Sequence, residues 1–279
     1  MIEKRNNNGQ IQKLYDDKYM LSLCKEYDQK RNAKEIAERE NIKLSTLYFY
    51  IRKFKMNKDR RLYSLNEKYF HKITSQNKAY ILGFLMADGC IAKSEPKKSK
   101  YDRLIIQLSD KDIDILKFIK KELHCDYDIK EYIPHGTYSN NKMCSLTINS
   151  MELCNDLIAL GVVPNKTGKE VFPDIKDSLK RHFIRGFLDG DGWTTLRQNK
   201  YKTIGFISNY NMLQSISNEI AKHINVIGLS TINEDYRNDK KDKNIFTLSY
   251  NHQIDVENLI KFLYKNANFY LKRKYSKLT

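Results

Sequence analysis

Two short strings, 103 residues apart, hold the side chains best suited to chemistry. The first is Ile81-Leu82-Gly83-Phe84-Leu85-Met86-Ala87-Asp88-Gly89, the second Ile184-Arg185-Gly186-Phe187-Leu188-Asp189-Gly190-Asp191-Gly192. Each reads as a helix that ends on an aspartate followed by a glycine. Gly83 and Ala87, like Gly186 and Gly190, are four residues apart and share one helical face. Small side chains at that spacing let two helix backbones approach closely. Packed that way, the helices bring Asp88 and Asp191 side by side at their C-termini. An acid there meets the negative end of the helix macrodipole, and a second acid adds like-charge repulsion. A divalent cation shared between the carboxylates removes both objections. An oxygen-only donor set without a histidine cluster points to Mg2+, with Mn2+ able to substitute, rather than to zinc. The plainer alternative is a pair of solvated aspartates that merely end helices; the repetition favours the paired reading. Gly89 and Gly192 stand where a helix end favours a residue able to take positive φ.

The elements that must position these helices also come twice. After AYILGFLMADG the pattern predicts strands at CIAKS and RLIIQLS, a helix at DKDIDILKFIKKEL, strands at YDIKEYI and MCSLTIN, and a helix at MELCNDLIALG. After HFIRGFLDGDG it predicts WTTLRQ and TIGFIS as strands, NMLQSISNEIAKHI as a helix, STINEDY and NIFTLSY as strands, and DVENLIKFLYKNA as a helix. Both units are αββαββα, which implies antiparallel sheets with helices on one face and the other face free for a ligand.

The paired strings, each opening such a unit, resemble the motif of the LAGLIDADG homing endonucleases in their single-chain, two-motif form. The resemblance covers residues 79–279. It implies an α+β fold of two pseudo-symmetric repeats whose sheets form a DNA-binding saddle. The implied activity is site-specific hydrolysis of phosphodiester bonds on both strands of a long asymmetric duplex, with Mg2+ held at Asp88 and Asp191 and with Gly89 and Gly192 in the ligand set. Family members also place a lysine beside each acid, after each repeat's last helix. The segments VVPNKTGK and YLKRKYSK put these at Lys166 and Lys274, with Lys272 a competitor for the second and ordinary surface charge an alternative for either. Asp110 and Asn209, at the ends of the second strands, are candidates to orient the attacking water; both residue types also serve as simple helix N-caps. Met86 departs from the motif's first acid, which Asp189 keeps, and the resemblance assigns that acid no metal.

Composition agrees with a polyanionic partner. Fifty Lys and Arg against 34 Asp and Glu give a net charge of +16, although an AT-rich genome would also enrich lysine. Double-stranded DNA is the expected partner, and the chain's own intron RNA a further one. Residues 18–57 suggest three short helices, with Tyr19, Met20, Leu23 and Tyr27 at helical spacing, a break near Asn41, and Ser45 capping a last helix. We read residues 1–61 as an all-helical helix-turn-helix domain, 62–76 as a linker, 77–176 as the first repeat and 177–279 as the second. Ser45, Thr46, Tyr48, Phe49, Arg52 and Lys53 would face DNA from the recognition helix. Lys93, Arg103, Lys130, Tyr132 and Lys142 would do so from the first sheet, and Arg197, Lys202, Arg237 and Lys243 from the second. The loops 94–100 and 237–243 would grip the backbone. Two unlike repeats in one chain imply a monomer on an asymmetric site. Rival functions are a non-cutting transcriptional regulator and an intron maturase. No apolar run approaches the roughly 20 residues of a membrane span, and MIEKRNNNGQ has no signal-peptide core. The five cysteines, odd in number and without a C-x-x-C, suit a reducing interior. The expected place is the nucleoid-bearing cytoplasm of a bacterium or phage-infected cell, or an organelle.

Overall fold

A computed structural model describes residues 2–5, 11–30, 33–54, 56, 63–94, 102–134, 141–234 and 245–279. They fall into two units, Met1–Ser64 and Leu65–Thr279.

In the first unit an antiparallel ladder of β1 (Ile2–Arg5) and β2 (Ile11–Leu14) precedes α1 (Asp17–Lys30), α2 (Ala33–Arg39) and α3 (Leu44–Lys53). The ladder corrects the all-helical expectation. Runs of four residues, at least half of them polar, carry almost no period-two signal. Met20, Leu23 and Tyr27 from α1, Ile36 and Ala37 from α2, and Leu47 and Ile51 from α3 form a small core. Asn41 turns the chain between α2 and α3 at φ +52, a conformation in which Asn is among the more tolerated residues. Ser45 does not cap α3: the helix starts at Leu44, and its N-cap, Lys43, makes no side-chain cap bond.

The second unit opens with α4 (Gln76–Asp88), β3 (Gly89–Ala92), β4 (Arg103–Ser109), α5 (Ile113–Glu122), β5 (Ile129–Tyr132), β6 (Met143–Asn149) and α6 (Met151–Ala159). The same order returns in α7 (Asp177–Asp191), β7 (Gly192–Arg197), β8 (Tyr201–Ser208), α8 (Tyr210–Ala221), β9 (Ile232–Glu234), β10 (Phe246–Tyr250) and α9 (Gln253–Tyr264), with a short α10 (Lys272–Tyr275) after it. Each repeat has one four-stranded antiparallel sheet, ordered β3-β4-β6-β5 and β7-β8-β10-β9. Alternation sorts the side chains: Leu104, Ile106, Leu108, Cys144, Leu146 and Ile148 are buried, while Arg103, Gln107, Ser145 and Thr147 take the other side. Residues from Leu65 onward belong to this unit rather than to a linker. Tyr69 and Phe70 are core residues, the Tyr69 hydroxyl donates to Glu122 (2.8 Å), and Ser75 caps α4.

The two motif helices form the centre. Residues 79–87 of α4 are buried and, but for the Tyr80 hydroxyl, apolar all round, as a helix enclosed on all sides requires; residues 182–189 of α7 are buried too, although His182, Arg185 and Asp189 line one of their faces. Their contact is backbone on backbone. A methyl on Gly83 would collide with the carbonyl oxygen of Phe183 and come within 2.9 Å of the Phe187 nitrogen; one on Gly186 would collide with the carbonyl of Tyr80 and reach 2.9 Å from the Phe84 nitrogen. Each pair of partners is again 103 residues apart, which makes the contact a local twofold. At the next turn Ala87 faces Gly190, and the Ala87 methyl fills the space a methyl on residue 190 would need. Gly89 and Gly192 have a different reason from the one expected. Both are extended (φ −75 and −104), and a β-carbon would stand 2.6 Å from the Leu85 oxygen and 2.5 Å from the Leu188 oxygen. They let a strand leave the helix end at once.

The contact yields a direct test. Gly186→Ala should lower the unfolding free energy by about 1–3 kcal/mol, the usual cost of overpacking, in denaturant titrations. An unchanged midpoint would show that the helices are not in backbone contact.

Candidate active site

Asp88 and Asp191 are the last residues of α4 and α7, and the backbone contact one turn earlier fixes how closely they approach. The Asp88 carboxylate lies over the other helix, its Oδ2 3.3 Å from where a β-carbon on Gly190 would sit. Both carboxyls are mostly buried, and burial is the first cause of their altered acidity. It raises Asp88 against the opposing pull of Lys274 and Lys166. Asp191 is pushed up to about 6, by burial first and by the charge of Asp88 second. The pair is thus a site where negative charge is costly until a cation arrives.

Two lysines close the helix ends. Lys274, on α10, is buried, and its Nζ donates to the carbonyls of Leu188 (2.8 Å), Asp189 (2.7 Å), Gly190 (3.0 Å) and Gly192 (2.6 Å). The carbonyls at a helix C-terminus lack intrahelical partners. Burial pushes this amine down to about 8. Lys166 donates to the carbonyl of Ala87, the counterpart of Gly190 in the first repeat. The correspondence puts Lys274, not the exposed Lys272, at the second position. The carbonyl of Gly192, a residue expected in the ligand set, accepts from Lys274. Gly89 opens β3, and its amide donates to the Leu85 carbonyl.

The flanking groups differ from those expected. Asp110 accepts from the neighbouring Ser109 hydroxyl (3.3 Å). It is Asp112, two residues on, whose charge reaches Asp88, and its carboxylate takes a bidentate bond from Arg273 (2.7 and 2.7 Å). Asn209 is the N-cap of α8 through Oδ1 (2.9 Å to the Met212 amide), and its Nδ2 donates to the carbonyl (2.8 Å) and the carboxylate (2.9 Å) of Glu170. The charge of Glu170 in turn makes Asp191 harder to ionise. Each connecting segment therefore crosses to the other repeat: 161–176 to Asn209, and the C-terminal residues to Asp112. Asp112, Glu170 and Arg273 carry no local sequence signal, because their roles arise from that exchange.

The donor set fits a hard divalent cation in its chemistry: two carboxylate groups, destabilised by burial and, at Asp191, by the neighbouring charge. Among the described residues no group of three or more His, Cys, Asp and Glu could hold a metal. Further ligands would have to come from backbone, water or substrate.

Solved structures to which this chain is similar include homing endonucleases. The homing endonuclease I-WcaI bound to its DNA recognition sequence is 12% identical over 76% of this chain and 91% of its own, with a TM-score of 0.48. The LAGLIDADG meganuclease I-AabMI bound to uncleaved DNA is 15% identical over 74% and 88%, with a TM-score of 0.47. I-SmaMI bound to uncleaved DNA target in the presence of calcium ions is 12% identical over 74% and 94%, with a TM-score of 0.42. No family model and no curated protein matches the sequence.

The expected DNA-facing residues separate by strand parity. Arg103, Lys130 and Tyr132 share the uncovered side of the first sheet with Gln107, Ser145 and Thr147, and Tyr132 accepts from Gln107 (3.0 Å). Arg197 pairs with Tyr201 on the corresponding side of the second sheet. Lys202 falls one residue out of phase, alternating onto the side of Ile204 and Phe206, so it does not join them. Lys93 follows β3 and is paired with Asp102 (2.9 Å), while Lys142 precedes β6. Arg237, Lys243 and nearly all of loops 94–100 and 237–243 lie outside the described residues. On α3, Ser45, Tyr48, Phe49 and Arg52 are exposed and Thr46 is half-buried. Lys53 is held by Asp17 (2.6 Å).

Proposed function

We propose that this chain is a divalent-metal-dependent DNA endonuclease that cuts both strands of a long asymmetric duplex as a monomer. The observation that carries the reading is the convergence of Asp88 and Asp191, both partly desolvated, between two amines at the ends of two packed helices. A divalent cation at such a site, when bound, lowers the pKa of water and neutralises charge building on a phosphate. The chain's own groups would do the rest. Asp88 and Asp191 offer oxygen ligands whose repulsion the cation relieves. Lys166 and Lys274, fixed by helix-end carbonyls, keep positive charge beside the carboxylates and the phosphate. Arg103, Lys130 and Arg197 would meet backbone and base edges from the sheets.

Mg2+ is the natural cation for an all-oxygen site that also uses substrate phosphate and water. The test is separation of binding from cutting on a duplex selected from a randomised library. Asp88→Asn or Asp191→Asn should abolish cleavage in Mg2+ while gel-shift affinity in Ca2+ persists. Undiminished cutting by either variant would overturn the assignment, and a two-chain complex on one site would overturn the monomer.

The first unit reads as a second, tethered DNA contact. Its support is the exposed row Ser45, Tyr48, Phe49 and Arg52 on α3, which follows the sharp turn at Asn41. The double variant Tyr48→Ala, Arg52→Ala should shorten the footprint on one side only and make the salt dependence of binding shallower, by about 0.9 in log–log slope for each phosphate no longer neutralised. An unchanged footprint and slope would leave this unit no part in DNA binding.

A further inference from the structure

The repeats match at Asp88 and Asp191 but not two residues earlier. Asp189, buried in α7, accepts from the Tyr80 hydroxyl (2.7 Å) and the Leu271 amide (2.8 Å), both through Oδ2, and among the described residues Oδ1 has no partner. Four residues before it on the same helix, Arg185 is also buried. It donates to the carbonyls of Leu263 (2.8 Å) and Phe269 (3.1 Å) and lies over the Tyr80 ring. The corresponding positions of α4 are Leu82 and Met86, both fully buried, and Met86 packs at Gly161. Burying a carboxylate with one oxygen unpaired is unfavourable for stability. The first repeat shows that an apolar side chain suffices to fill the place.

What Asp189 and Arg185 hold is the C-terminal segment that carries Lys274. Leu271 is the N-cap of α10, and its carbonyl receives the amides of Lys274 (3.0 Å) and Tyr275 (3.1 Å). Fixing the Leu271 amide therefore fixes the turn from which Lys274 reaches its four carbonyls. Among the described residues Lys166 has one such carbonyl. We infer that Asp189 is a positioning residue that latches Lys274 to the end of α7, so that the two halves of the active site are held by unlike means and respond unequally to its loss. The latch itself is independent of the proposed activity; its consequence for the two DNA strands rests on that reading.

The test uses the full chain and two readouts. In the first, metal-free protein is treated with an N-hydroxysuccinimide acetate and labelled lysines are mapped by mass spectrometry. Wild-type Lys274 should be protected relative to Lys272. Asp189→Met, the residue of the first repeat, should raise Lys274 labelling about tenfold, as loss of a charge-assisted hydrogen bond implies. Asp189→Asn, which keeps an acceptor oxygen, should stay near wild type. In the second, supercoiled plasmid bearing the selected site is cut in Mg2+. Asp189→Met should accumulate nicked circles broken on one preferred strand, and Asp189→Asn should restore linear product. Should Asp189→Met fail to fold, Leu271→Pro removes the same amide at a φ of −76 that proline accepts and should give the same labelling change. Unchanged labelling of Lys274 in the folded variants overturns the latch. Raised labelling with both strands slowed equally overturns the asymmetry. A wild type that cuts neither strand condemns the nuclease reading, while the labelling still judges the latch.

Discussion

The carbonyl oxygen of Tyr80 lies where a methyl on Gly186 would have to go, and that of Phe183 does the same at Gly83. Two helices in such contact cannot slide or rotate freely, since ordinary side chains would drive them apart. Their C-termini, little more than a turn on, are consequently held near one another. Asp88 and Asp191 inherit a spacing that neither sheet nor loop sets. Burial of the same helices on every side supplies the desolvation that raises both carboxyls. One packing contact thus underlies both the geometry and the electrostatics of the site.

Around that twofold the chain is unequal. Ala87 faces Gly190 because there is room for one methyl between the helices. Lys274 satisfies four carbonyls and, among the described residues, Lys166 one. The connecting segments exchange partners, Arg273 with Asp112 and Glu170 with Asn209, which ties each carboxylate's surroundings to the other repeat. A symmetric core with asymmetric fastening would suit the proposed asymmetric duplex, whose two half-sites differ in sequence.

The repeat order, the paired glycines and the convergence of the two aspartates are legible in the sequence, because each is expressed by local spacing. Lys166 and Lys274 come within reach through the resemblance, and it is Lys274, rather than the exposed Lys272, that bonds the Gly190 carbonyl as Lys166 bonds that of Ala87. Other features are hidden for physical reasons. Asp112 and Glu170 act through partners 161 and 39 residues away. The ladder of β1 and β2 is too short for a period to emerge. Lys202 escapes pattern reading because a slip of one residue in a strand moves a side chain to the opposite face. Gly89 and Gly192 are needed at the helix ends, but for the closeness of the preceding turn rather than for a positive φ.

The ionisation of Asp191 in protein free of metal and DNA tests most directly whether the two carboxylates share a site. A 13C NMR titration of its carboxyl should place the wild-type midpoint at about 6. Asp88→Asn should move it down toward the ordinary carboxyl range, because a neighbouring negative charge is removed while burial remains. The same midpoint in both proteins would show that the two carboxylates do not share a site.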